Sequence, residues 1–134
     1  MTTIADQIRT EVQSRLAILP VGGFKVSDEL PFTASGEPLY VKNKKTVYVD
    51  DDVEGRVQLY RTLDQGSVYA TETTVTAYLT VDAKNQPGII DTVITLILDA
   101  KDVITGAQIV ESTVTSEIEE DYVTYSFEYN ITKL

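Results

Sequence analysis

The best candidate for a chemical motif in this chain is Asp50-x-Asp52-x-Glu54-Gly55, which matches the first, third, fifth and sixth positions of a calcium loop. Carboxylates at that spacing could hold a hard cation, and the glycine would allow the sharp turn. The match fails at position twelve, where a bidentate glutamate should close the site and Arg61 stands instead. Neither flank reads as a helix. Asp50, Asp51, Asp52 and Glu54 therefore read as an acidic, solvated surface loop.

Other chemistry is narrowed by residues the chain lacks. It has no histidine, and imidazole is both the side chain that titrates near neutrality and the commonest metal ligand. It has no cysteine, hence no thiolate nucleophile, disulfide or thiolate-bound metal. Redox compartment cannot be read from that absence. Paired carboxylates could serve glycoside hydrolysis, which needs two at a set separation across a sugar-lined cleft, but the chain's 21 acids single out no pair. Gly22-Gly23 precedes no Lys-Ser or Lys-Thr and follows a helix rather than a strand, so it is no phosphate loop. These readings predict a protein that is not an enzyme and carries no cofactor or metal.

The elements that would position any surface begin with a helix. Thr2 or Thr3 can cap it, Thr3 with Asp6 approximates a capping box, and Ile4, Ile8, Val12 and Leu16 form an apolar stripe. Pro20 and Gly22-Gly23 end it. The stripe suits packing on a sheet, with docking to a partner as the alternative. Residues 39–41 and 46–49 read as two strands of a hairpin turned by Asn43, Lys42, Lys44 and Lys45. Val57 to Tyr60 fits strand or loop, within a polar stretch at residues 50–66 of a kind that often orders only on contact.

Residues 67–82 give the clearest strand. Thr71, Thr73, Val75, Ala77, Leu79 and Val81 alternate with Glu72, Thr74, Thr76, Tyr78 and Thr80. A run this long, against a usual strand of about 5 to 6 residues, must bend across the sheet or project towards a neighbour. Asn85-Gln86-Pro87-Gly88 then leads into residues 89–102, where Asp91, Thr95, Asp99 and Asp102 form one narrow polar stripe on an apolar cylinder. That pattern predicts a helix largely covered by protein, ended near Gly106. A final hairpin joins residues 107–118 to 122–132 through Glu119-Glu120-Asp121, and Val123, Tyr125, Phe127, Tyr129 and Ile131 mark its buried side.

The whole reads as a single α+β domain over residues 1–134, a mostly antiparallel β-sheet packed against two α-helices, with 43% hydrophobic residues to supply a core. No apolar run reaches the roughly 18 residues of a membrane span, and the N-terminus lacks a signal-peptide order, so the expectation is a soluble, unexported protein. An excess of 21 acids over 11 bases repels phosphate and argues against nucleic-acid binding. It leaves room for contact with DNA without adhesion.

This element order, the length, the strand TETTVTAYLTVDA leading into GIIDTVITLILDAKD, and the closing TVTSEIEEDYVTYSFEYNITKL resemble the tail terminator proteins of long-tailed, lambda-type bacteriophages. The resemblance covers nearly the whole chain and carries no functional residue across. It implies a structural virion protein: a ring, typically hexameric, that caps the tail tube, stops its polymerisation and joins it to the head connector while DNA passes through. It would reside at the tail–neck junction of the virion, and in host cytoplasm during assembly. Alternatives are a head-completion or neck adaptor, told apart by its partner, and a small ligand-binding module, which would need a concave pocket with converging polar groups.

A heterologous ring requires two complementary surfaces on each subunit. The basic segment Lys42, Lys44 and Lys45 and the acidic segments at Asp50, Asp51, Asp52 and Glu54 and at Glu117, Glu119, Glu120 and Asp121 are the candidates for meeting across subunits; otherwise they are solubilising tips. The net charge of -10 further predicts a negative lumen that repels phosphate.

Overall fold

The computed structural model describes residues 3–19, 23–62, 66–84 and 89–133. Thr2, Pro20, Gly22 and residues 85–88 with Pro87 lie outside them. The first helix, α1 (Ile4–Ala17), forms as its capping box dictates. The Thr3 hydroxyl accepts the Asp6 N–H at 3.1 Å, and the Asp6 carboxylate accepts the Thr3 N–H at 3.5 Å. Its buried stripe is Ala5, Ile8, Val12 and Leu16; Ile4 is only half-buried.

Six strands build one mixed sheet: β1 (Lys25–Val26), β2 (Thr46–Val49), β3 (Val53–Thr62), β4 (Gly66–Asp82), β5 (Ile109–Ile118) and β6 (Tyr122–Lys133). The order is β1-β2-β4-β6-β5, with β3 also on β4; β1 and β2 are parallel and every other pair is antiparallel. The architecture is α+β. β4, 17 residues long, is its spine. One side of β4 pairs with β6 from Thr71 to Asp82, while the other side meets β2 at residues 77–79 and β3 at residues 66–74. Before Thr71, β4 has only β3 beside it among the described residues, so residues 66–70 and their partners extend as two strands past the last described pair with β6, Thr71 with Lys133.

β2 and β3 lie end to end on that one side of β4. Val49 faces Ala77 and Val53 faces Thr74, so three residues, Asp50 to Asp52, oppose two. The extra residue breaks the strand as a bulge does. Much of the stretch expected as a polar loop is therefore strand: Val53 and Glu54 open β3, which runs on to Thr62.

The expected strand at residues 39–41 is instead a one-turn helix, α2 (Leu39–Lys42), so the lysines do not sit on a β-hairpin. Both sides of β2 are taken, by β1 and by β4, which leaves no ladder for residues 39–41 to join. Pro38 enters the turn, and the Leu39 N–H donates to the Pro31 carbonyl at 2.7 Å. The turn lays Tyr40 flat on Tyr78, with ring centroids 4.5 Å apart, and Phe32 stands edge-on to both.

Helix α3 (Ile90–Asp99) and a following 3-10 turn (Ala100–Val103) occupy the expected segment. The helix buries Ile90, Val93 and Ile97 but leaves Ile94, Leu96 and Leu98 half-covered and Asp91, Thr92 and Thr95 exposed, so it is covered on one side rather than all round. Gly106, at φ 76°, then turns the chain towards β5. The core lies between α1, α3 and one face of the sheet, where Val75, Ala77, Leu79 and Val81 of β4 meet Val123, Phe127, Tyr129 and Ile131 of β6. Each such large side chain contributes about 1.5–3 kcal/mol by leaving water. The buried Tyr129 hydroxyl donates to the Ile97 carbonyl and ties β6 to α3.

Candidate interaction surfaces

Strand alternation turns a second set of side chains away from the helices. Glu72, Thr74 and Thr76 of β4 face Thr132, Asn130 and Glu128 of β6, while Glu111, Thr113, Thr115 and Glu117 of β5 continue the same layer. Glu128 is exposed, and Glu72, Thr74, Thr76, Ser126 and Asn130 are half-buried, so this face is open to solvent. The Thr74 hydroxyl donates to Asn130 Oδ1 at 3.1 Å, and Asn130 Nδ2 donates to Glu128 Oε1 at 3.0 Å. These bonds hold the middle of the layer in a fixed arrangement. On β4, β5 and β6 this layer carries five carboxylates, Glu72, Glu111, Glu117, Glu128 and, at its end, Asp82, which pairs with Lys44; the three strands place no lysine or arginine on it among the described side chains. The result is a threonine-rich, negative surface, with the Phe32 and Tyr40 rings over Tyr78 at one end, where Thr80 and Thr124 are also buried.

The sequence-predicted lysines each meet a partner in their own chain. Lys42 Nζ lies 3.3 Å from Glu37 Oε2, Lys44 Nζ 2.6 Å from Asp82 Oδ1, and Lys45 Nζ 5.9 Å from the centre of the Phe24 ring. Lys45 takes a positive φ of 64°, held by its N–H on the Thr80 carbonyl at 2.9 Å and by the Lys25 N–H on its own carbonyl at 3.1 Å. Exposed pairs of this kind are worth about 0–1 kcal/mol.

The acidic segments divide by role. Asp52 caps α1: Oδ1 accepts the Ala5 N–H at 2.9 Å and Oδ2 accepts the Ile4 N–H at 3.2 Å. The carboxylate sits where the helix dipole favours negative charge. Asp50 accepts the Asp51 N–H at 2.8 Å and donates its own N–H to the Thr76 carbonyl, also at 2.8 Å. Asp51 and Glu54 are exposed, Glu54 lying on β3 opposite Thr73. Among the described residues no group of three or more acids is placed to hold a metal ion. Both Asp52 oxygens, which the calcium motif would use as a ligand, are turned to the start of α1.

Glu119, Glu120 and Asp121 form the exposed turn between β5 and β6. The Glu119 N–H donates to the Tyr122 carbonyl at 2.8 Å, and Asp121 accepts the Ala83 N–H at 3.0 Å. Because Lys44 pairs with Asp82, next to Ala83, the basic segment and this acidic turn share one end of the molecule. Glu117 and Glu119, with Tyr40, Val41 and Tyr122, line a cavity of about 210 Å³ there. Burial first, and then the Glu117 charge, push the Tyr40 phenol above its ordinary pKa.

A concavity of about 420 Å³ is an open groove lined by Lys25, Asp28, Glu29, Asn43, Thr46 and Tyr48 among others. Its mixed-charge walls differ from the mainly apolar lining of small-molecule sites. No helix among the described residues is long and apolar enough to cross a membrane.

Sequence reasoning missed the Phe32–Tyr40–Tyr78 cluster and the place of Glu111 in the negative layer. The one available signal was Tyr78, an aromatic ring on the polar side of the β4 alternation. No family model matches the chain, and no curated protein matches it in sequence.

Proposed function

We propose that this chain is a structural virion protein of the tail-terminator type, forming a ring that caps the tail tube, halts its growth and leaves a channel for DNA to the head connector. The observation that carries the reading is the two-sidedness of the sheet. One face holds the helices and the core, while the other presents Glu72, Glu111, Glu117 and Glu128 with no lysine or arginine of β4, β5 or β6 on that face among the described side chains. Turned towards the axis of a ring, that layer would repel phosphate from every subunit and keep DNA from adhering. Its threonine hydroxyls and the Asn130 amide would keep the wall hydrated. The sequence resemblance supports the same assignment by element order.

The test is assembly with tube protein. Tube subunits polymerised with and without the purified chain are imaged by electron microscopy, and their lengths are compared. Shortened tubes that carry extra density at one end support the reading. Tubes of unchanged length with no bound chain contradict it, and binding to the portal or head connector alone would assign the chain to the neck instead.

A further inference from the structure

The sheet ends in two long edges on opposite sides. β5, ten residues, lies beyond β6, and β3, also ten residues, lies on the far side of β4. Neither edge meets a further strand among the described residues. A long free edge invites pairing with another chain, and monomeric proteins blunt it with proline, lysine, a bulge or short length. β1 is blunted by having only two residues. β5 has no proline, lysine or bulge: IVESTVTSEI keeps its register with β6 unbroken from Ile109 to Ile118, while β3 keeps its register with β4 from Val53 to Gln58 and shifts only between Gln58 and Tyr60.

The exposed apolar side chains point the same way. Ile109 and Ile118, at the two ends of β5, are 50% and 76% exposed, while Val53 of β3 and Tyr69 beside it are 68% and 42% exposed. Charge is complementary as well. β5 and its turn hold Glu111, Glu117, Glu119, Glu120 and Asp121 with no cation, whereas the β3 sequence has two arginines against the single acid Glu54, and Arg56 lies 4.4 Å from the centre of the Tyr69 ring.

We infer that β5 of one copy pairs edge to edge with β3 of a second copy, extending the sheet from subunit to subunit. The two edges differ, so the contact is head-to-tail and generates a closed ring where the rotation allows. It deepens the ring reading above by naming its subunit contact. The hydrogen-bond phase of the edge follows from the turn: the Glu119 N–H bonds to Tyr122, so alternation directs Thr113, Thr115 and Glu117 to β6 and points the N–H groups of Val114, Ser116 and Ile118 outward.

The native chain has no cysteine, which makes disulfide trapping clean. Thr113→Cys and Thr115→Cys on β5 are each mixed with Val53→Cys and Gly55→Cys on β3, which face Thr74 and Glu72 and so share the outer face of the sheet, with Gln13→Cys on α1 as control, and oxidised without tube protein. The expected result is a cross-linked dimer from at least one β5–β3 mixture, several-fold above any mixture with the control, and a ladder of higher species when both cysteines share a chain. Ser116→Pro, which removes one outward N–H but no β5–β6 bond, should abolish the trapping while keeping the circular dichroism spectrum of the parent. No β5–β3 product at the highest soluble concentration, equal trapping by the control, or undiminished trapping with a folded Ser116→Pro chain would each overturn the inference. Trapping without tube capping would retire the terminator reading and leave this contact standing; capping without trapping would do the reverse.

Discussion

Asp52 looks like a metal ligand by spacing and behaves as a helix cap by geometry. Its two oxygens accept the Ile4 and Ala5 N–H groups, donors that α1 cannot satisfy internally. The contact joins residues 47 and 48 apart in sequence, so local spacing could not reveal it. Thr3 with Asp6, three residues apart, was legible because a capping box is local. Replacing Asp52 with alanine should lower stability by about 1–2 kcal/mol, as loss of a helix-capping carboxylate does. Urea unfolding measures this, and added calcium should leave both parent and variant unchanged. A calcium-dependent gain in the parent would restore the metal reading.

At the scale of elements, the alternation in β4 and β6 and the stripe of α1 were readable because each is a single period over many residues. The turn at residues 39–42 was not: Leu39, Tyr40 and Val41 favour a strand, and only the occupancy of both β2 edges, a tertiary fact, denies them a ladder. The cover over α3 was overestimated for a similar reason, since Ile94, Leu96 and Leu98 are apolar yet only half-buried. Besides its buried Ile90, Val93 and Ile97, α3 is held by Ser112 and by Tyr129, whose phenol burial pushes well above its ordinary pKa, with the Arg15 charge opposing. A phenol that holds its proton more tightly when folded contributes stability that is full below the unfolded pKa, about 10, and declines as pH rises above it. Urea unfolding should therefore give a flat stability from pH 7 to about 9 and a fall beyond about 10. Tyr129→Phe should cost about 1 kcal/mol at neutral pH through the lost bond to Ile97 and make the alkaline fall shallower. An identical alkaline slope in parent and variant would contradict this role, since Tyr40, Tyr78 and Tyr125, also raised by burial, would then carry all of it.

At the scale of the molecule, the surplus of acid is not spread evenly. The segments that stand out in sequence, Lys42 to Lys45 and Asp50 to Glu54, are largely engaged within the chain, through Glu37, Asp82, Phe24 and the start of α1. The layer Glu72, Glu111, Glu117 and Glu128 is scattered through the sequence and becomes one surface only when β4, β6 and β5 pair. Its alternation was visible strand by strand, but the neighbours that join it were not. Under the proposed function this layer faces the channel of a ring. Cryo-electron microscopy of the chain bound to the end of a tail tube tests that placement most directly. The expected result is a closed ring with Glu72, Glu111, Glu117 and Glu128 of every copy turned to the lumen and α1 and α3 outside. A lumen lined by the helices, or by lysine and arginine, would contradict it.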